Sequence, residues 1–244
     1  MKSKLSISNV LAQSWKALTS QFWVLVGLFI AYIIIASLAG TMSGGSNPSG
    51  AVLGSVVISF FSLLIGMLFM LGYVKNCLDA LDGEEPQFSA YGQFRKVLPT
   101  LGAYLLIAIP AVVIFVGGLF LANFGALTGG QPFRMGPVSW LVMAVFLIAM
   151  IYFGIRLGFY VMFIVEEDAG AIESLRKSWK LTEGHVGELL LLIVVSIGIA
   201  IAGILCLGVG LLVAAPLTYV MMCAAYRQMK APAADDVEEI EKDI

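Results

Sequence analysis

The sequence predicts an all-α, polytopic membrane bundle: six transmembrane helices in three hairpins, each hairpin preceded by a cytoplasmic interfacial amphipathic helix. Three observations predict it. Hydrophobic residues make up 60% of the chain and charged residues only 12%, about half the roughly 25% charge usual in soluble domains. The apolar residues gather into six runs, most of them close to the length that spans a bilayer as a helix. Of the 14 lysines and arginines, all but Arg134 fall on one side when the chain is threaded six times through a membrane. The alternating polarity of an outer-membrane β-barrel is absent.

The first segment, Met1 to Gln21, reads as an interfacial helix. Ile7, Val10, Leu11, Trp15, Leu18 and Phe22 recur at three- and four-residue steps, with Ser8, Asn9, Gln13, Lys16 and Thr19 opposite. Such a stripe lies on acyl chains or packs over the protein's own membrane end. The first span is Phe22 to Ala39. Although Ser37-Leu38-Ala39 loosely fits a signal-peptidase site, the run begins too late and lasts too long for a signal peptide. An uncharged, turn-rich loop, 40–50, leads to the second span, Ala51 to Val74.

Between Lys75 and Lys96, the acidic patch Asp79, Asp82, Glu84 and Glu85 ends at Gly83 and Pro86. Phe88, Tyr91, Phe94 and Leu98 then follow at helical spacing, which predicts a second, shorter interfacial helix. The third span is Leu98 to Leu121, with Pro110 in its middle, and a loop, 122–137, holds Arg134. The fourth run, Val138 to Val165, is too long for a perpendicular span, so it tilts or its last turns leave the bilayer. An amphipathic segment, Ala169 to Gly184, leads to the fifth span, Val186 to Cys206. A very short turn, Leu207-Gly208-Val209-Gly210, forces an antiparallel hairpin with the sixth span, Leu211 to Tyr226, which contains Pro216. The domain reading is a transmembrane unit over 1–230 and an acidic tail over 231–244 that lacks a hydrophobic face and is expected to be disordered. The positive-inside rule puts both termini in the cytoplasm of a multi-pass inner-membrane protein.

Leu11-Ala12-Gln13-Ser14-Trp15-Lys16 matches Leu175-Arg176-Lys177-Ser178-Trp179-Lys180 at four of six places, each just before a span. Gln93-Phe94-Arg95 holds the equivalent place before the third span. The chain therefore reads as three units of interfacial helix, span, turn and span, with the three surface helices forming a collar. Convergence is the plainer alternative, because any such segment favours an aromatic and a cation.

Most of the remaining polarity lies between Gly154 and Leu190. Arg156 stands about 15 Å deeper along a helix than Glu166, where a charge costs about 2.5–3.5 kcal/mol at mid-membrane. It is either a buried cation for an anionic substrate or lipid, or a structural clasp, with Glu188 as a possible polar partner. Arg176, Lys177 and Lys180, with Arg156, are candidate lipid- or anion-binding residues, and Trp15 and Trp179 are interfacial anchors. His185 and Glu188 share a helix face and could relay a proton, or could be ordinary interfacial polarity. Pro110 and Pro216 are candidate helix kinks. Gly154-x-x-x-Gly158 and Gly198-x-x-x-Ala202 are small faces that permit close helix packing. Cys77, Cys206 and Cys223 read as small hydrophobes. With one histidine and no CxxC spacing, no metal site and no cofactor are expected.

The stretch from Arg156 to Tyr226 has a recognisable order: an Arg in the fourth span, the acidic exit Glu166-Glu167-Asp168, then Ser174-Leu175-Arg176-x-Ser178-x-x-Leu181-Thr182-x-Gly184, a glycine-rich turn, Pro216 and Tyr226. It resembles the YciC-like bacterial inner-membrane proteins, and is similar to the membrane domain fused to some glycerophosphodiester phosphodiesterases. That resemblance implies a six-helix bacterial inner-membrane protein without an assigned reaction. The phosphodiesterase chemistry uses paired histidines with metal-binding acids, and this chain has one histidine.

No Walker loop, HExxH or nucleophile elbow occurs, so no enzyme is expected. The expected function is a non-enzymatic integral membrane protein that binds lipid or a partner and serves envelope upkeep or complex assembly. The alternative is a small permease for an anionic or amphipathic solute, with Arg156 lining the path. Expected partners are membrane lipids, and a membrane-protein partner or a second copy of the chain, with no nucleic acid.

Overall fold

The apolar stripe that opens the chain folds as α1 (Ile7–Ser20), with Val10, Ala17 and Leu18 buried and Trp15 and Lys16 exposed. The computed structural model describes residues 5–43, 51–85, 87–128, 136–206 and 210–242, and every regular element among them is helical. The loop residues 44–50, Pro86, Arg134 and the turn residues 207–209 lie outside that set. At Gln21 the chain bends by 86° into α2 (Phe22–Ser43).

The second apolar run is α3 (Ala51–Leu81), which continues about two turns past Val74. Lys75 and Asp79 are therefore helical neighbours, paired at 2.5 Å, rather than loop residues. The expected second interfacial helix is not formed. Phe88–Gly92 is a short 3-10 turn, and α4 (Phe94–Thr128) absorbs the remainder of that segment. Phe94 and Leu98 point outward, 70% and 75% exposed, so no apolar stripe is left for a separate helix to bury. The turn is held instead by Tyr91, whose ring lies on the bare backbone of Gly72; a Cβ at Gly72 would come within 2.4 Å of it. The expected collar of three surface helices thus reduces to two helices and a 3-10 turn.

α4 runs unbroken through Pro99 and Pro110. The fourth apolar run divides into α5 (Pro137–Leu157) and α6 (Tyr160–Glu167), interrupted at Gly158 and Phe159. The amphipathic segment is α7 (Ala171–Leu181), followed by α8 (Val186–Leu205) and α9 (Leu211–Lys242). α9 continues past Pro216 and then past Lys230, so residues 231–242, expected to be disordered, are helical. Their alanines, glutamates and lysine are good helix formers, and α9 supplies the nucleus they would lack alone. Close approach of backbones occurs at Gly203 and Gly210, where a Cβ on Gly210 would meet the Gly203 Cα at 2.6 Å. Of the small faces expected to pack, Gly154 and Gly198 have nothing within 4 Å of an added Cβ, whereas one on Gly158 would meet the Met222 side chain of α9 at 4.0 Å.

Among the described residues, four helical stretches are long and apolar enough to cross a membrane: Val57–Leu81, Phe94–Phe124, Pro137–Glu167 and Val186–Leu205. A fifth is added if α1 and α2 count as one broken span. α9 is less apolar because it includes Arg227, Lys230 and the charged run Asp235 to Lys242. It packs against α1, α2, α3 and α8 and so faces protein on several sides, and Val220, Met221, Cys223, Ala224, Ala225 and Tyr226 are all fully buried. α4 and α5 pack on each other at the periphery and touch the rest mainly through α3, α6, α7 and α8.

The buried core is concentrated at one end of the bundle, where α1, α7 and the 3-10 turn cap the helices. Leu18, Leu25, Tyr73, Phe159, Ile164 and Tyr226 are sealed there. Toward the other end, helix faces such as Val113, Ile114, Leu121, Leu147, Ile148 and Leu205 are more than half exposed, as lipid-facing surface is.

Candidate functional site

Arg156 occupies the last turn of α5, immediately before the break at Gly158. The break exposes backbone groups, and Ser178 of α7 satisfies two of them. Its hydroxyl donates to the Arg156 carbonyl at 2.9 Å and accepts from the Phe159 N–H at 3.2 Å. The Arg156 side chain, 7% exposed, turns toward the same helix. Its guanidinium lies over the Trp179 ring, 4.1 Å from the centroid, and Nη1 donates to the Thr182 hydroxyl at 3.4 Å. Tyr152 and Phe153, one turn earlier, close on the edge and face of Trp179. The pattern Ser178-Trp179-x-x-Thr182 is therefore the socket for Arg156, its members brought onto one face of α7 by helical spacing.

The expected pairing with Glu188 is not made. Arg156 forms no ion pair among the described residues, and the Glu188 carboxylate accepts instead from the Leu5 N–H at 3.1 Å. Glu188 thus ties the chain ahead of α1 to the start of α8, while the His185 carbonyl accepts from the Leu189 N–H in the first turn of α8.

A second cluster gathers around the acidic end of α6. Tyr226, Arg227 and Lys230 present one face of α9 to it. The Tyr226 hydroxyl donates to Glu166 at 2.6 Å, and Arg227 and Lys230 both reach Glu166 at 2.5 Å. Lys230 also reaches Glu167 at 2.7 Å, and Arg227 pairs with Asp82 at the end of α3. Lys96 of α4 donates to the Val165 carbonyl at 2.6 Å and pairs with Asp168 at 2.9 Å. Lys177 of α7 bridges Glu167 at 2.9 Å and Glu173 at 2.6 Å. Five helices are joined by these contacts. Hydrogen bonds to Glu173 and then Glu167 push the Lys177 ammonium above its ordinary value. The bond to Lys177 draws the Glu173 carboxyl down.

Sequence reasoning placed Glu166, Glu167, Arg227 and Lys230 on one side of the membrane without pairing them. The available signal was spacing: Tyr226, Arg227 and Lys230 fall at i, i+1 and i+4, on one helical face. It also missed that Cys77 and Cys223 are both buried, on α3 and α9, two helices that pack on each other.

Lys177, expected on the lipid-binding face, is committed to carboxylates. Arg176 and Lys180 are exposed and make no ion pair among the described residues, and the same holds for Lys16 and Arg95. Trp15 is 53% exposed, whereas Trp179 is half-buried beneath Arg156. The two matched serines are both fully buried but act differently: Ser14 donates to the Val10 carbonyl of its own helix at 2.6 Å, while Ser178 bridges to α5. Among the described residues, Arg156 lines none of four well-formed cavities along the bundle. One, of about 250 Å³, is an apolar recess beside Pro110 between α4 and α5.

Residues 5–238 match the model of a family described as a domain of unknown function, DUF7847. The chain belongs to this family. The match takes in the Arg156 socket and the whole acidic cluster, so both are built within the DUF7847 region. No curated protein and no solved structure matches the chain.

Proposed function

We propose that this DUF7847 protein is a non-enzymatic, lipid-binding protein of the cytoplasmic membrane. It crosses six times in three hairpins with both termini inside, and serves membrane upkeep or the assembly of a membrane complex. The observation that carries this reading is the basic rim. Lys16, Arg95, Arg176 and Lys180 are exposed at the capped end and unmatched by carboxylates among the described residues, although many other charges there are paired. Cations left unmatched at the level where helices leave a bilayer meet lipid phosphates, each worth about 1 kcal/mol at an anionic surface. The packing of α2 on α3, α4 on α5 and α8 on α9 supports the hairpins. The likeness to YciC-like proteins in the order of residues from Arg156 to Tyr226 supports the same architecture.

Arg156 contributes by holding α7, and with it Arg176 and Lys180, against the bundle. Its guanidinium faces Trp179 and Thr182, with Nε buried and unpartnered among the described residues, and it lines none of the cavities above, so we place no solute path there. The test is native mass spectrometry of the full chain released from vesicles containing phosphatidylglycerol. The quadruple variant K16Q/R95Q/R176Q/K180Q should lose retained phosphatidylglycerol by tenfold or more, given about 1 kcal/mol per charge. Retention equal to the wild type refutes the reading.

A further inference from the structure

A cavity of about 580 Å³ lies between α2, α3, α4 and α6. That volume is within the roughly 300–1,000 Å³ of pockets that enclose a small molecule. Six hydroxyls line it: Tyr32, Ser59, Ser62, Thr100, Tyr104 and Tyr160. The Thr100 hydroxyl donates to the Lys96 carbonyl at 2.7 Å. The other five form no hydrogen bond among the described residues. The rest of the wall is aliphatic, Met or Gly, and no charged side chain lines it.

Depth makes this arrangement unusual. Tyr32 and Tyr104 each lie ten residues beyond the capped-end start of their helices, Phe22 and Phe94. At 1.5 Å per residue that is about 15 Å along each helix, well inside apolar stretches long enough to span a hydrocarbon layer about 30 Å thick. There, lipid tails offer a hydroxyl nothing to bond, and an unmet polar group costs free energy. A serine in a membrane helix ordinarily bonds the carbonyl four residues back, as Ser196 and Ser37 do here. Ser59 and Ser62 do not, so their hydroxyls remain available to the cavity.

We propose that this recess binds an uncharged, lipid-soluble amphiphile that presents carbonyl oxygens, taken directly from the membrane. The hydroxyls supply donors to its carbonyls, and the Tyr32 ring, stacked on Phe69 at 4.1 Å, gives a flat wall. A charged head is excluded because no wall residue compensates it at that depth. Access is lateral: α2 and α4 both pack on α3, whereas α2 and α4 share no extensive contact. Neutral acyl esters and prenyl quinones both have this chemistry. The recess is separate from the basic rim and does not depend on it.

The test uses the full chain, delipidated in detergent, titrated with monoolein, with decylquinone and, as a charged control, with oleate. Two variants accompany it. Y32F/S62A/Y104F removes hydroxyls at nearly constant volume. Gly66→Leu fills the recess from a position where a Cβ meets only the Tyr32 hydroxyl, at 3.6 Å, an ordinary contact. One of the neutral ligands should raise the wild-type unfolding midpoint saturably by about 3 °C or more. Both variants should lose the rise, and K16Q/R95Q/R176Q/K180Q should keep it. Which neutral ligand acts identifies the source as acyl ester or quinone. The proposal is overturned by no rise in the wild type, by an equal rise in the wild type and both variants, or by oleate acting as well as the neutral ligands.

Discussion

Ser178 and Trp179 give Arg156 a local reason to exist. Arg156 is buried at the capped end rather than at mid-membrane; withdrawing its charge from water is costly, while a desolvated guanidinium over an indole returns about 2 kcal/mol and its bond to Thr182 adds to that. The return depends on a planar group. Arg156→Lys should therefore destabilise the protein by about 1–2 kcal/mol in detergent unfolding, because an ammonium does not stack on Trp179. Arg156→Met should cost less than Arg156→Lys, since it removes the buried charge along with its partner contacts. If the lysine variant is the milder one, the socket is not what Arg156 serves. Ser178→Ala should cost about 1–3 kcal/mol, because it leaves the Phe159 N–H unpaired at the break and the Arg156 carbonyl with only the longer bond from Thr182, at 3.4 Å. The neighbouring Lys177–Glu173 pair sets a pH dependence of its own. Glu173 titrates below its unfolded value, so its contribution is present above the unfolded carboxyl range and is lost as pH falls through its lowered value. Lys177 titrates above its unfolded value, so its contribution is present below the ordinary lysine range and is lost as pH rises through its raised value. Relative to Lys177→Met, wild-type stability should decline at both extremes, and a pH-independent difference would show that the pair contributes nothing.

Element by element, the sequence was read best where one physical signal dominated. The stripe of α1 and the amphipathic face of α7 were legible from period alone, and both form surface helices before apolar ones. Phe88, Tyr91, Phe94 and Leu98 had the same period and misled, because periodicity does not say whether there is a surface to bury against. Tyr91 found Gly72, while Phe94 and Leu98 face outward. The acidic tail was judged by its own composition, without the helix that precedes it. The Arg156 socket was half-legible: its residues were all singled out, but that Trp179 would face Arg156 rather than lipid depends on the crossing of α5 and α7, which no local spacing encodes. Gly72 tests the element scale directly. Gly72→Ala should dislodge Tyr91 and loosen residues 87–92, seen as faster amide exchange there, with a loss of about 1–3 kcal/mol from overpacking. Tyr91→Ala in the same background should remove most of that penalty, since the clash is with its ring.

At the scale of the molecule, the two ends have different tasks. The capped end holds the core, the ion pairs and the Arg156 socket, while the far ends of α4, α5 and α8 expose apolar faces to their surroundings. In the proposed orientation, the positive-inside tendency keeps the basic rim on the side of the ribosome. The three cysteines report on it without any engineered label. Cys77 and Cys223 are buried within the bundle, and Cys206 is exposed just past the far end of α8. A membrane-impermeant maleimide applied to intact cells or spheroplasts should therefore modify Cys206 alone, and Cys206→Ser should abolish the labelling. If Cys206 reacts only after the membrane is permeabilised, the far end faces the cytoplasm, the basic rim faces outward, and the proposed contact between Arg176, Lys180 and the lipids of the inner leaflet is lost with it.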